Sequence, residues 1–326
     1  MAKEIKQTLC RMCDNHCALN VTMENGRPTE VLPYPSHPWN QGRICMKGSG
    51  AVDFVNHKDR LTKPLKKVDG KFVEIELSQA YDEIAAKLKE LKAEYGPQSV
   101  SVWKGEAIGF AQEEEIYRRF IYAFGSPNYF SNDSECFASR YLAYRIGFGC
   151  WGPPDYENAK HIVIWGSNPP AAHPNSTQFI MRGRRNGAKI TVIDPRMSNM
   201  ARQADHYISI IPGTDGALAM GLARVLINNN WYDKDFVENH TIGFEEYKER
   251  VQKCTPEFVE KESGVPAAMV EKLASMLHAA APHVSIYAGN GPEHHIGGVQ
   301  GIRAISMLDA LLGSFDRLGG TRWPAS

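Results

Sequence analysis

The chain has 326 residues, enough for two or three domains, and its 37 basic and 37 acidic side chains cancel. This balance excludes recruitment of nucleic acid or of an anionic membrane by the overall field of the protein. The longest apolar run, residues 217–227, is interrupted by Gly221 and Arg224, so no membrane-spanning segment is predicted. The first residues have neither an apolar signal region nor a twin arginine. We therefore expect a cytoplasmic protein, unless a partner subunit carries the export signal.

Four cysteines near the start of the chain are spaced as ligands of a metal centre. Cys10, Cys13 and Cys17 stand in one C-x2-C-x3-C stretch, and Cys45 follows after twenty-seven residues. Two tight pairs would favour zinc, whereas three thiols in one loop with a distant fourth favour a [4Fe-4S] cluster. Zinc and unliganded structural cysteines remain open alternatives. The scarcity of apolar surface in residues 1–60 indicates a small β-rich domain wrapped around its metal site.

The next stretch, residues 61–140, has the pattern of an α/β domain. Ser78 is predicted to cap a helix that ends before Gly96, and a second amphipathic helix ends at Gly125. We assign residues 283–326 to the same domain, which would make it discontinuous.

A Rossmann-like dinucleotide-binding domain is predicted for residues 141–282. Buried strands are expected at 161–165, 189–193 and 207–211, with a further strand at 284–288. Each strand ends in a polar loop, and helical segments separate the strands, which is typical of a doubly wound parallel sheet in a mixed α/β fold. In such sheets ligands lie outside the carboxyl ends of the strands.

The polar loops offer groups that can hold a nucleotide. Backbone amides at helix starts bind phosphates, and a carboxylate after a strand binds ribose hydroxyls or a guanine edge. Neither a G-x-G-x-x-G nor a Walker A sequence occurs, so ordinary NAD binding and P-loop chemistry are not supported. We predict a nucleotide-bearing ligand, although glycines and prolines here could also serve turn geometry alone. The candidate residues are Gly166, Asn168, Asp194, Arg196, Gly213, Thr214 and Asp215.

A fifth cysteine, Cys136, lies in a polar run after a helix-ending turn. A lone cysteine is usually a small core residue, but these surroundings could present the thiol at a cavity. A soft thiolate is a good ligand for a heavy transition metal, so Cys136 is a candidate metal ligand. Cys150 and Cys254 have no such surroundings and are expected to be structural.

Taken together, these motifs resemble the molybdenum and tungsten enzymes of the dimethyl sulfoxide reductase family. The resemblance runs from Cys10 to Gly320. It rests on the four spaced cysteines near the start of the chain together with Lys47, on Cys136 and on the polar loops. It implies a [4Fe-4S] cluster, Mo or W, and two molybdopterin guanine dinucleotides. Two-electron redox chemistry on a small substrate is then expected at the metal, while the cluster passes electrons singly to an electron-transfer partner.

The resemblance also implies roles for particular residues. The four cysteines of the head, Cys10, Cys13, Cys17 and Cys45, would hold the cluster. Lys47 would lie between the cluster and the pterin and assist electron passage, and Cys136 would bind Mo or W. The loop residues Asn168, Asp194, Arg196, Thr214 and Asp215 would line one dinucleotide, and Gly291 and His294 would contact pterin.

Two branches of the family are closer to the sequence than the others. Formate dehydrogenases have His after the metal-binding residue, where this chain has Phe137, so formate oxidation is disfavoured. The run from Asn168 to Pro174 resembles the polysulfide, thiosulfate and arsenic oxyanion enzymes. In that run His173 is a candidate acid/base near the metal, although a loop histidine can also be purely structural.

Acetylene hydratase is the second such branch, and it suggests non-redox chemistry. Asp14 follows the second cluster cysteine, where that enzyme has its proposed catalytic acid. A carboxyl beside a cluster could be held protonated and donate a proton to a polarised alkyne. Alternatively, Asp14 caps the cluster loop through its backbone amides.

A third possibility is an electron-wiring or structural subunit that keeps the cluster but has no active metal. Catalytic chains of the family commonly have a further C-terminal domain, which covers the second dinucleotide. We therefore expect a partner subunit or a missing C-terminal half to complete the cofactor cavity, and the second dinucleotide site to be incomplete in this chain.

Overall fold

The computed structural model describes residues 3–13, 15–105, 111–132 and 136–323. These residues form two compact units, one within 1–132 and the other within 133–326. Both strands and helices occur in each unit, so the predicted mixed α/β class is confirmed. None of the helices in the described ranges is long and apolar enough to cross a membrane.

The first unit begins with a three-stranded antiparallel sheet in the order β1-β2-β3. The strands are β1 (Lys3–Leu9), β2 (Ala18–Glu24) and β3 (Arg27–Pro33). A small core forms where Cys10, Cys17 and Leu19 are buried together. Asn40 is fully buried and accepts a hydrogen bond from the backbone N–H of Ala18, so it ties the loop after β3 to the start of β2. The β-rich N-terminal part expected from the sequence is therefore confirmed.

The rest of the first unit consists of short strands and helices. The helices are α1 (Met46–Ser49), α2 (Ala51–Asn56), α3 (Leu77–Tyr95) and α4 (Ala111–Phe124). The strands are the antiparallel pair β4 (Leu65–Val68) and β5 (Lys71–Glu74) and the parallel pair β6 (Val102–Lys104) and β7 (Tyr129–Ser131). Helix α3 starts one residue before Ser78, and its N-cap is Glu76, whose side chain makes no capping hydrogen bond.

Helix α3 does not bury its apolar side. An amphipathic helix normally packs this side against a core, yet none of the 19 residues of α3 is buried. Tyr81 is 64% exposed, and Trp103 on β6 is 71% exposed. The first unit therefore presents an uncovered apolar surface on α3 and β6.

The second unit contains the doubly wound parallel sheet that the sequence predicted. Its strands are β8 (His161–Trp165), β9 (Lys189–Ile193), β10 (His206–Ile208) and β11 (Val284–Ala288). All three neighbouring pairs are parallel, and the order across the sheet is β10-β9-β8-β11. The chain adds strands in one direction from β8 to β10 and then returns to the other side of β8. The direction of winding therefore reverses between β8 and β11.

Helices cover both faces of this sheet. They are α5 (Ala138–Phe148), α6 (Pro169–Ala172), α7 (Thr177–Arg185), α8 (Asp215–Asn228), α9 (Lys234–His240), α10 (Phe244–Val251), α11 (Pro256–Ser263), α12 (Ala267–Ala280) and α13 (Gly298–Leu311). Side chains alternate along β8: Val163 and Trp165 join one hydrophobic core, while Ile162 and Ile164 join a second core with Ile180 of α7. This alternation is expected for a strand buried on both sides.

Strand β11 comes from the 283–326 segment, which the sequence groups with 61–140, and it is paired with β8 along its whole length. It therefore joins the sheet whose other strands come from residues 141–282. The domain boundaries themselves stay a prediction.

A buried carboxyl in α13 makes this unit sensitive to pH. Asp309 is fully buried, and one of its oxygens accepts a hydrogen bond from the Thr321 hydroxyl at 3.1 Å. Burial raises the pKa of Asp309 to about 8, and the hydrogen bond from Thr321 opposes the rise. Between the ordinary pKa of Asp, about 4, and this raised value, the folded state holds a proton that the unfolded state releases. The stability contributed by the protonated group is thus lost as the pH rises through this window.

We therefore expect Asp309→Asn to be more stable than the wild type at about pH 8, with a difference that shrinks toward about pH 5. The amide is neutral at every pH, so the variant avoids a cost of up to about 1.4 kcal/mol for each pH unit. Urea unfolding across this range measures the effect, with Glu238→Gln on the exposed side of α9 as the control. If the free energy of unfolding changed with pH equally in Asp309→Asn and in the wild type, the expectation would be contradicted.

Candidate cofactor site

The loop between β1 and β2 brings the first cysteines together. The backbone N–H of Cys10 donates to the carbonyl of Cys17 at 2.8 Å, which closes the loop that contains Cys13. Cys45 is the N-cap residue of α1. A methyl group placed on Gly48 would lie 3.7 Å from Sγ of Cys10, so the first turn of α1 passes close to that thiol. The fold thus joins the distant Cys45 to the loop of the other three cysteines.

The four thiols influence one another electrostatically. Burial, together with the charges of Cys10, Cys13 and Cys45, raises the pKa of the Cys17 thiol to about 11. Four thiolates therefore need a cationic group between them in order to be stable together. Among the described residues, no three His, Cys, Asp or Glu side chains are grouped so that they could hold a single metal ion.

Two further residues of the cysteine region were expected to act at the cofactors. Lys47 is exposed on α1, two residues after Cys45. Its place between cluster and pterin stays a prediction. Asp14 lies outside the described residues, so its expected role as a proton donor also stays a prediction.

In the second unit, the loops after β8 and β11 touch where the winding of the sheet reverses. Gly166 has φ of +56°, and a Cβ there would lie 2.4 Å from Cδ of Pro292. A Cβ on Gly289 would lie 2.4 Å from the carbonyl oxygen of Gly166. Glycine is required at Gly289 because a side chain there would overlap backbone, and at Gly166 because its φ is positive and a side chain would overlap the ring of Pro292. A crevice at the carboxyl ends of the strands, at such a reversal, is where ligands of doubly wound sheets bind.

Cys136 lies at this reversal point. It immediately precedes the N-cap residue of α5, Phe137. The side-chain nitrogen of Asn290, in the loop after β11, is 3.9 Å from Sγ of Cys136. A soft thiol and an amide donor therefore meet at one end of the sheet.

The loops after β8 and β9 are also linked to each other. Asn168 accepts a hydrogen bond from the backbone N–H of Met200 at 3.2 Å. Asp194 is buried and accepts from the backbone N–H of Arg196 at 2.8 Å, which holds its own turn. One oxygen of each candidate is thus used to shape the loops. Their binding of a dinucleotide stays a prediction.

The loop after β10 is fixed from two sides. Gly213 has φ of +86°, and a Cβ there would meet the ring of His295 at 3.2 Å. The hydroxyl of Thr214 donates to the carbonyl of Ile211. Asp215 is buried, accepts a hydrogen bond from the indole N–H of Trp165 at 2.7 Å, and has a pKa raised by burial. Asp215 therefore has a structural role between β8 and α8.

The remaining candidates lie in the same loops. His173 is the C-cap of α6, on the segment that follows β8. Gly291 and His294 belong to the loop after β11 and are exposed. Their roles toward metal or pterin stay predictions.

The structure also places three residues at the site that sequence reasoning missed. The buried pair Arg140 and Glu293 and the exposed Asn290 form a polar group next to Cys136. The sequence contains one signal for two of them, which is charge. Arg140 stands one turn after a candidate ligand, and Glu293 stands in a Gly-rich loop. Charged side chains at such places must find partners if they are buried.

Comparison with known proteins gives the family context of this geometry. The family model for molybdopterin oxidoreductase matches residues 60–323, and the model for the molybdopterin oxidoreductase Fe4S4 domain matches residues 4–57. The molybdopterin-containing subunit of thiosulfate reductase from Salmonella typhimurium is 32% identical over 96% of this chain and 41% of that protein. The alpha subunit of the F420-dependent formate dehydrogenase from Methanocaldococcus jannaschii is 34% identical over 98% of this chain and 47% of that protein.

A solved structure is similar as well. Acetylene hydratase from Pelobacter acetylenicus is 33% identical, with a TM-score of 0.82 over 95% of this chain and 44% of that one. The chain therefore spans less than half the length of each of these relatives.

The glycine contact at the reversal point gives a test of the site geometry. We expect Gly289→Ala to lower the free energy of unfolding by about 1–3 kcal/mol, because the new methyl group overlaps the carbonyl of Gly166. Urea unfolding measures the loss.

The matched control is Gly301→Ala in α13, where a Cβ lies no closer than 3.8 Å to the backbone of Gly216. This variant should be unchanged or more stable by up to about 1 kcal/mol, since Ala favours helices over Gly. Equal stability of Gly289→Ala and wild type would show that the two loops do not pack as described.

Proposed function

The chain belongs to the molybdopterin oxidoreductase family, and on this premise we propose that it is a catalytic subunit, or part of one, that carries out two-electron redox chemistry on a small substrate. Members of this family have a [4Fe-4S] cluster and a Mo or W molybdopterin cofactor. The observation that carries the proposal is the position of Cys136 at the reversal of the sheet, beside the loop after β11.

The described residues fit these cofactors. The four cysteines of the first unit lie near enough to one another that burial and mutual charge disfavour bare thiolates, and a cationic cluster would stabilise them. In the second unit, Cys136 provides a soft ligand at the reversal of the sheet, where doubly wound sheets bind their ligands. When bound, the metal and its pterins supply two-electron transfer, and the cluster supplies one-electron transfer. The chain's own residues hold these groups in place and shape the pocket.

The residue after Cys136 bears on the substrate. The ring of Phe137 makes an edge contact with Trp151 at 5.3 Å and lies 5.1 Å from the guanidinium carbon of Arg140. This packed aromatic side chain cannot accept or donate a proton. We therefore propose oxygen- or sulfur-atom transfer, with a small oxyanion of sulfur or arsenic as substrate, in preference to formate oxidation. Asn168 and His173, in the loop after β8, would face that substrate class.

A further polypeptide is part of the proposal. The relatives are more than twice as long as the region that this chain matches, and the first unit exposes the apolar side of α3 together with Trp103. We propose that a partner subunit or a missing C-terminal half covers this surface and completes the second dinucleotide site. An electron-transfer partner would receive or deliver electrons at the cluster. The cytoplasmic location stays a prediction.

Metal analysis of the anaerobically purified holoprotein tests the assignment. We expect about four Fe per chain together with Mo or W. The variant Cys136→Ser should lose most of the Mo or W and keep its Fe, because the two metal centres use different cysteines. Cys150→Ser is the matched control and should keep both.

Two results would contradict the proposal. Iron without Mo or W in the wild type would favour the electron-wiring subunit, and full Mo or W content in Cys136→Ser would remove Cys136 as the ligand.

The hydratase remains a second candidate function. The observation that favours it is the similarity to acetylene hydratase over 95% of the chain, together with the carboxyl of Asp14 next to Cys13 in the sequence. Addition of water across a triple bond consumes no electrons. This reaction therefore needs a proton donor and no electron partner.

Substitution of Asp14 separates the two functions. If the chain is a hydratase, Asp14→Asn should lower the rate of acetylene hydration by about 10²- to 10⁴-fold, with Fe and Mo or W contents unchanged. Asp53→Asn, an exposed carboxylate on α2, is the control. Absence of hydration by the wild type, with substrate reduction that depends on a reduced dye, would leave the redox function as the one supported.

A further inference from the structure

We propose that Arg140, held by Glu293, is a positioning residue that turns the side-chain amide of Asn290 so that its N–H group faces Sγ of Cys136. The inference rests on the proposed function, since it takes Cys136 as the ligand to Mo or W. It adds a group that sets the electron density on that sulfur.

Glu293 anchors the arrangement. Its carboxylate accepts a hydrogen bond from the backbone N–H of Arg140 at 3.0 Å and lies 3.4 Å from a guanidinium nitrogen of the same residue. The side chain of Glu293 is 1% exposed and that of Arg140 is 7% exposed. One carboxylate therefore binds both the first turn of α5 and the side chain that emerges from it. The start of α5, next to Cys136, is tied to the loop after β11.

Arg140 has little freedom to move. One of its terminal nitrogens donates to the carbonyl of Ala288 at 2.7 Å and to the hydroxyl of Tyr287 at 3.1 Å. The guanidinium carbon also lies 5.1 Å from the ring of Phe137 and 5.5 Å from that of Tyr287. The planar guanidinium lies near two rings and donates to fixed acceptors, so it has a single favourable orientation.

The second terminal nitrogen of Arg140, the one near Glu293, determines how Asn290 is oriented. It donates to the side-chain oxygen of Asn290 at 3.0 Å. Arginine can only donate, so the oxygen end of the amide must face Arg140 and the nitrogen end must face away from it. That nitrogen is the atom 3.9 Å from Sγ of Cys136. The orientation of the amide thus follows from Arg140 and does not depend on the sulfur.

An N–H group directed at a thiolate stabilises negative charge on the sulfur. The sulfur then donates less electron density to a bound metal, and reduction of the metal becomes easier. A buried ion pair is a costly way to join two elements, because apolar side chains of similar volume often serve as well or better. A role in directing the amide gives a reason for the pair Arg140 and Glu293 at this place.

The test uses redox titration of the metal in the holoprotein, followed by electron paramagnetic resonance. Asn290→Leu removes the amide and should lower the midpoint potential of the Mo or W couple, since the sulfur then donates more electron density to the metal. Arg140→Lys keeps the charge but loses the planar fork, so the amide is no longer directed. Arg140→Lys should therefore also lower the midpoint potential. The double variant should shift it no further than Asn290→Leu alone, since both changes act through one contact.

Arg145→Lys is the matched control, because Arg145 lies on the exposed side of the same helix and contacts Tyr141 in a similar way. It should leave the potential unchanged. Unfolding midpoints of all variants separate a structural role from the proposed one. A lower unfolding midpoint with an unchanged potential overturns the inference, as does an Arg140→Lys variant with wild-type potential. A wild type that contains no Mo or W overturns the proposed function and this inference with it.

Discussion

The reversal of winding between β8 and β11 is the constraint on which the second unit depends. Strands on either side of that point send their loops to the same place, and two loops can meet there only if backbone contacts backbone. Gly166 and Gly289 allow this approach, since a single methyl group on Gly289 would overlap the carbonyl of Gly166. The candidate metal ligand, Cys136, and the amide of Asn290 are brought together by the same contact.

Polar side chains at the carboxyl end of this sheet are mostly engaged with the protein itself. Asp194 holds its own turn, Asn168 binds the backbone of Met200, and Asp215 accepts from Trp165. Each still has a second polar atom. Loops fixed in this way need no reordering when a ligand arrives, so less conformational entropy is lost on binding. In the first unit, by contrast, the four thiols repel one another as thiolates, and a cationic cluster would complete that fold.

Much of the fold was predictable because its signals are local. Strands β8, β9 and β11 have the bounds that their apolar runs indicated, and helices separate the strands as the sequence indicated. The N-cap of α3 is Glu76, two residues before the predicted Ser78, since propensity does not locate a helix end without a capping contact. The polar group of Arg140, Asn290 and Glu293 was not predicted. Arg140 is about 150 residues away from the other two in the chain, and only packing shows that they meet.

The sequence by itself determined the family, the mixed α/β class and the types of ligand, because cysteine spacing and strand, loop and helix periodicity are properties of short segments. Only the tertiary structure decided that β11 lies beside β8, that α3 leaves its apolar side uncovered, and that an arginine orients an amide toward Cys136. These features depend on contacts between residues far apart in the chain. Such contacts are selected by burial and hydrogen bonding in the folded protein, and no local pattern encodes them.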